Sequence, residues 1–139
     1  MSDSIGSRRH QTAGQRRYSD RPFQDGVRGL EAAADLEREG VDVEVIDPRT
    51  LRPLDTVTLV ESVKKTNRAV IVEEGWPFCG VGAQIVDVLQ LGAFDYLDAP
   101  ILRVTGADVP TPYAKNLEHL AFPDKQRVKE AVNKVLYRM

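Results

Sequence analysis

An α/β fold is what this sequence predicts, and the stretch from Arg68 to Ile85 carries most of the prediction. Ala69 to Val72 is a continuous apolar run rich in β-branched residues, as expected of a strand buried on both faces. Gly75-Trp76-Pro77 supplies loop chemistry, and Gly80-Val81-Gly82 opens a helical pattern through Val81, Ile85, Val88 and Leu89 that stops at Gly92. Strand, glycine-rich turn and helix make half of a βαβ unit. A second short run, Ile101 to Val104, predicts another strand, with the loop Thr105 to Tyr113 at its end.

The remaining elements follow in order. Asp25-Gly26 precedes a helix with Val27, Leu30, Ala33, Ala34 and Leu36 as its apolar positions, closed by Gly40. Val41 to Val45 alternates strictly, with Ile46 beyond it, and predicts a strand with one polar face. The two prolines between Asp47 and Asp55 predict an extended connection. Asp55 or Thr56 caps the next helix, whose apolar positions are Val57, Val60 and Val63, with Leu59 beside them. Lys64 and Lys65 suit its C-terminal end, and Asn67 suits a left-handed exit. Ala114 to Leu120 predicts a short helix. Pro123-Asp124 starts the last one, with Val128, Ala131, Val132, Val135 and Leu136 on one face.

Composition sets the outer bounds. A chain of 139 residues predicts one domain, and 42% hydrophobic with 29% charged residues is ordinary for a globular protein. The net charge of −2 gives no overall nucleic-acid footprint, and no apolar run reaches the length of a membrane span. Cys79 is the one cysteine, which excludes an internal disulfide. Residues 1–24 hold five arginines against Asp3 and Asp20 and no periodic apolar pattern. They read as a basic, unstructured leader before a domain over 25–139. A nucleic-acid arm and an Arg-rich transit peptide are the competing readings.

Most chemical constellations are weak. Gly80 and Gly82 match two glycines of a dinucleotide fingerprint, but Ile85 stands where the third belongs. Glu73 and Glu74 would also repel a phosphate there, so glycines for close packing are the better reading. His10 and His119 have no partners at metal-ligand spacing, so no metal is expected. Cys79 has no histidine nearby in sequence and reads as a passive buried thiol. Glu73 and Glu74, adjacent along a strand, point to opposite faces and do not form a base pair. Arg49 and Arg52 find ready partners in Asp47 and Asp55 rather than an external anion. Trp76 and Phe78 are equally a core plug or anchors for another subunit.

Three stretches resemble one family: Val45-Ile-Asp-Pro-Arg-Thr-Leu-Arg-Pro-Leu-Asp55, Glu73-Glu-Gly-Trp-Pro-Phe-Cys-Gly-Val-Gly-Ala83 and Phe94-Asp-Tyr-Leu-Asp-Ala-Pro100. They look like the β subunits of pyruvate dehydrogenase, of the 2-oxoacid dehydrogenase family, and Thr105 to Glu118 extends the similarity. The match runs from about Val27 to the C-terminus and corresponds to the transketolase C-terminal-like domain. That resemblance implies a three-layer sandwich with a mostly parallel sheet, whose first strand is not recognisable here. It implies thiamine diphosphate for the parent enzyme, held by domains this sequence lacks. No catalytic, cofactor-binding or metal residue therefore carries over. It implies subunit assembly and docking of an acyltransferase subunit-binding domain, with Asp98 and the terminal carboxylate on Met139 as the matching residues. Pro48 and Gln84 depart from the family pattern.

The expectation is a non-catalytic assembly and docking domain, self-associating or joined to α and β subunits, in a bacterial cytoplasm or a mitochondrial matrix. A stand-alone enzyme or ligand-binding protein using the loops near Glu74, Cys79 and Asp108 is the alternative. A regulatory module with a nucleic-acid-binding arm is the third.

Overall fold

Two short parallel strands run through the middle of the structure, a computed structural model that describes residues 24–138 except 115, 116, 118 and 119. In chain order the elements are α1 (Gln24–Arg38), α2 (Thr56–Thr66), β1 (Val70–Val72), α3 (Val81–Ala93), β2 (Leu102–Val104) and α4 (Lys125–Val135). A 3₁₀ turn, Phe94–Tyr96, follows α3. β1 and β2 pair in parallel with Val70 opposite Leu102 and Val72 opposite Val104, and the connection between them is α3 and its 3₁₀ turn.

The apolar run in β1 is continuous because helices cover both faces of the sheet. Ile71 packs with Val63 of α2 and with Ile85, Leu89 and Ala93 of α3. Val70 and Val72 pack on the opposite side against Ala32 of α1, Val104 and Val128 of α4. Leu36, Val41 and Val132 extend that second core. The result is a three-layer α/β sandwich, α2 and α3 on one face and α1 and α4 on the other.

Local chemistry sets the helix ends. The Asp55 carboxylate accepts from Thr58 N (3.1 Å) and Thr58 Oγ1 (2.7 Å), capping α2. Asn67 takes φ 62° and its N–H donates to Val63 O, closing the helix as expected. Gly40, at φ 80°, ends α1 in the same manner. Asp124 accepts from Arg127 N at 2.8 Å and caps α4, which buries Val128, Val132 and Val135. Lys125 reaches Asp35 (3.1 Å) and Lys129 reaches Glu39 (2.6 Å), joining α4 to α1.

Several expectations need correction. Val41 to Ile46 joins no sheet among the described residues. Alternation fits a pleated strand, but a strand exists only where a neighbour completes its ladder. Asp47 to Asp55 is not extended: Leu51 bridges Leu54, Thr50 Oγ1 donates to Pro53 O (2.8 Å) and the Arg52–Pro53 bond is cis. α3 ends at Ala93, one residue past Gly92, which lies in the last turn against α2, where a Cβ would sit 2.6 Å from Val60 Cγ2. Leu30, Val57 and Val81 are exposed, while Ala32 is fully buried. The 1–24 leader falls outside the described residues but for Gln24, as does most of the expected 114–120 helix, of which Leu117 and Leu120 are helical.

Candidate functional site

The loops beyond the C-terminal ends of β1 and β2 are organised by Glu73. Its side chain is 14% exposed, and its carboxylate meets Arg103 Nη2 at 2.5 Å and Nε at 3.2 Å. The other carboxylate oxygen accepts from Gly82 N at 2.9 Å, in the first turn of α3. A carboxylate there answers both the free N–H groups and the positive end of the helix dipole. A Cβ on Gly80 would lie 2.7 Å from Glu73 Oε2, and one on Gly82 would lie 2.9 Å from Glu73 Cδ. The glycines do permit close packing, and what packs so closely is this side chain. The anion position a phosphate would need at Gly82 is filled by the chain's own carboxylate.

The same end of the sheet is laced by backbone. Gly106 N donates to Gly75 O (2.9 Å), Ala107 N to Ala121 O (2.8 Å) and Arg127 Nη2 to Thr105 O (3.0 Å). Trp76 Nε1 donates to Val109 O at 3.1 Å, yet Trp76 is 54% exposed and Phe78 79%. Neither is a core plug. Cys79 is exposed rather than buried, at φ 55°, because it sits on the turn that delivers Gly80 to α3. Asp108 is also exposed. No metal-binding group occurs among the described residues, and His10 and His119 lie outside them. Arg49 pairs with Asp47 at 3.4 Å, whereas Asp55 serves α2 as its cap.

Asp98 occupies a different corner, at the opposite end of β2. Its side chain is 59% exposed and its carboxylate stands 3.6 Å from Arg68 Nη1. Arg68 is itself fixed by a 2.8 Å bond from Nε to Val135 O. Asp98 N donates to Asn67 O (2.9 Å), Asn67 Nδ2 to Tyr96 O (2.7 Å) and Tyr137 Oη to Asp98 O (3.3 Å). The α2–β1 turn, the 3₁₀ turn and the residues after α4 therefore meet at this aspartate. Leu97, Asp98, Ala99, Pro100 and Ile101 line a shallow groove with Phe94, itself largely exposed. Met139 lies outside the described residues, but Tyr137 puts the segment just before it against Asp98. Arg68 and Tyr137 were not singled out from sequence; they lie far from Asp98 along the chain and carry no local signal.

A three-layer α/β domain with this element order defines the transketolase C-terminal class. The chain belongs to the family "Transketolase, C-terminal domain", whose model matches residues 28–128. Within it, the chain is similar to the pyruvate dehydrogenase E1 component subunit beta. Identity is 61% over 108 residues to that of Rickettsia felis, covering 78% of this chain and 33% of the relative. To the Rhizobium meliloti subunit it is 56% over 109 residues, 78% of this chain and 24% of that one. To the human mitochondrial subunit it is 55% over 108 residues, 77% and 30%. A solved structure, "Split gene transketolase, inactive beta4 tetramer", aligns with a TM-score of 0.68 at 31% identity, covering 81% of this chain and 35% of that one. The chain thus spans a third or less of the length of these E1 β relatives. No helix among the described residues is long and apolar enough to cross a membrane.

Proposed function

We propose that this chain is a non-catalytic assembly and partner-docking domain of a pyruvate dehydrogenase-type E1 component. The observation that carries the reading is the Asp98 corner: an exposed carboxylate held in place by Asn67, Tyr137 and the anchored Arg68, at the rim of an apolar groove. A cationic side chain on a subunit-binding domain of the acyltransferase fits that corner, and Met139 is the second residue we assign to the contact. Exposed Trp76 and Phe78 serve contacts to α or β subunits or to a second copy. We place it in a bacterial cytoplasm or a mitochondrial matrix; the support is that its relatives include bacterial subunits and subunits named as mitochondrial. The chain itself binds no thiamine diphosphate. The alternative of a stand-alone ligand-binding protein loses support because Glu73 fills the helix terminus that strand-end loops would offer an anion.

Calorimetric titration of the full chain with an isolated acyltransferase subunit-binding domain tests the docking role. Asp98→Ala is expected to weaken binding by tenfold or more, since truncating one member of a desolvated charge pair costs roughly 2–5 kcal/mol. An unchanged affinity removes Asp98 from the interface. A parallel titration with thiamine diphosphate is expected to give no heat; stoichiometric micromolar binding would favour the alternative.

A further inference from the structure

The Asp98 corner has a second part that an ion pair alone does not use. Five apolar residues between Phe94 and Ile101, with Gln90 and Asp98, line a groove of about 420 Å³. A helix end and a turn build it. α3 stops at Ala93, Phe94 opens the 3₁₀ turn, and Leu97 N donates back to Phe94 O at 3.1 Å. That turn leaves Phe94 62% exposed, whereas Ala99 in the same groove is buried.

Size and polarity decide what fits. Sites for whole small molecules span about 300–1,000 Å³ and enclose roughly 70–90% of the ligand. This groove has the volume but is shallow, and among the described residues its polar lining is Gln90 and Asp98 alone. Apolar side chains carried on another protein surface suit it better than a free metabolite. Asp98 sets the charge of that surface. Its carboxylate is 59% exposed and Arg68 Nη1, at 3.6 Å, is beyond hydrogen-bond reach, so the oxygens can still accept from a partner. Filling the groove would strip water from the same carboxylate and strengthen the pair it forms. We infer that the groove is the apolar half of a two-part docking site, taking apolar side chains from a partner surface that sets a cation beside them for Asp98. The inference rests on the docking role proposed above; it adds what the partner must carry, and Phe94 as the residue that selects it.

Calorimetric titration of the full chain with the isolated acyltransferase subunit-binding domain, repeated at several salt concentrations, separates the two halves. Phe94→Ala is expected to weaken binding about tenfold and to leave its salt dependence unchanged, whereas Asp98→Ala should flatten that dependence. Phe94→Leu, which keeps an apolar side chain in the groove, should restore most of the affinity. Phe94 is largely exposed, so both Phe94 variants should keep the far-UV circular dichroism and thermal midpoint of the native chain. Should Phe94→Ala unfold, methyl NMR of the native chain decides the matter, since the Leu97 and Ile101 signals should shift on binding. Affinity lost in Asp98→Ala but untouched by Phe94→Ala overturns the inference and leaves the docking role standing. A loss in Phe94→Ala alone keeps the groove and removes Asp98. No binding by the native chain overturns both.

Discussion

Glu73 joins three pieces of the chain with one side chain, and its substitution should be felt accordingly. Removing one partner of a largely buried pair leaves the other charge without compensation, so Glu73→Ala should lower the unfolding free energy by about 3 kcal/mol in urea titrations. Gly82→Ala should cost about 1–3 kcal/mol, because a methyl there runs into the Glu73 carboxyl. The two effects should not add: in the Glu73→Ala background only Arg103 Nε, 3.0 Å away on a flexible side chain, still crowds the methyl, and a double-mutant cycle should return part of its cost. Only the close packing at the glycines was legible locally; the ion pair was not. Glu73 read as a charge that would repel a phosphate at the glycine turn, and Arg103, its partner, lies 30 positions further on. Cys79 was misjudged, and Trp76 left between core plug and anchor, for a related reason. Apolar character says what burial is worth to a residue, but the turn through Gly75 to Gly80 decides which side chains face water.

Helix ends were far more legible than helix faces. Asp55, Asn67, Gly40 and Asp124 all do what their residue types do best, since capping is decided within three or four residues. Faces depend on what arrives from elsewhere: Val57 fits the stripe of α2 but meets solvent, and Ala32, unremarkable in the sequence, is the residue α1 buries most completely along with Leu36. The strands were half legible. Apolar runs located β1 and β2, whereas the alternation at Val41 to Val45 lacked a neighbour to make it a strand. The Asp55 cap also carries a pH signature. The hydrogen bonds from the Thr58 hydroxyl and then its N–H hold the Asp55 carboxyl below its ordinary value. Its stabilising effect is therefore complete above the unfolded value, and is lost as pH falls through the lower folded one. The urea midpoints of the native chain and of Asp55→Ala should differ at neutral pH and converge below about pH 4.

At the scale of the whole molecule, the exposed aromatic residues beyond the strand ends are the feature that folding leaves undone. Phe78 and Trp76 present more apolar area to water than a lone domain needs. Sedimentation velocity at micromolar concentration should show a species larger than one chain, and Phe78→Asp should return it to a monomer with its thermal midpoint little changed. A native chain that stays monomeric throughout would remove this surface from the assembly role. The α1/α4 layer has a separate consequence, in the order of synthesis. Glu39 and Lys129 are 90 positions apart, and Ala32 and Leu36 complete their burial against Val128 and Val132. At a translation rate of about 5–20 residues per second, α1 leaves the ribosome roughly 5–20 s before its partner does. Within that interval, from the emergence of Val104 until α4 follows it, the Val70, Val72 and Val104 face of the sheet lacks half its cover, and a nascent chain is at its most attractive to a chaperone. A chain stalled before Asp124 keeps that face open for as long as the stall lasts.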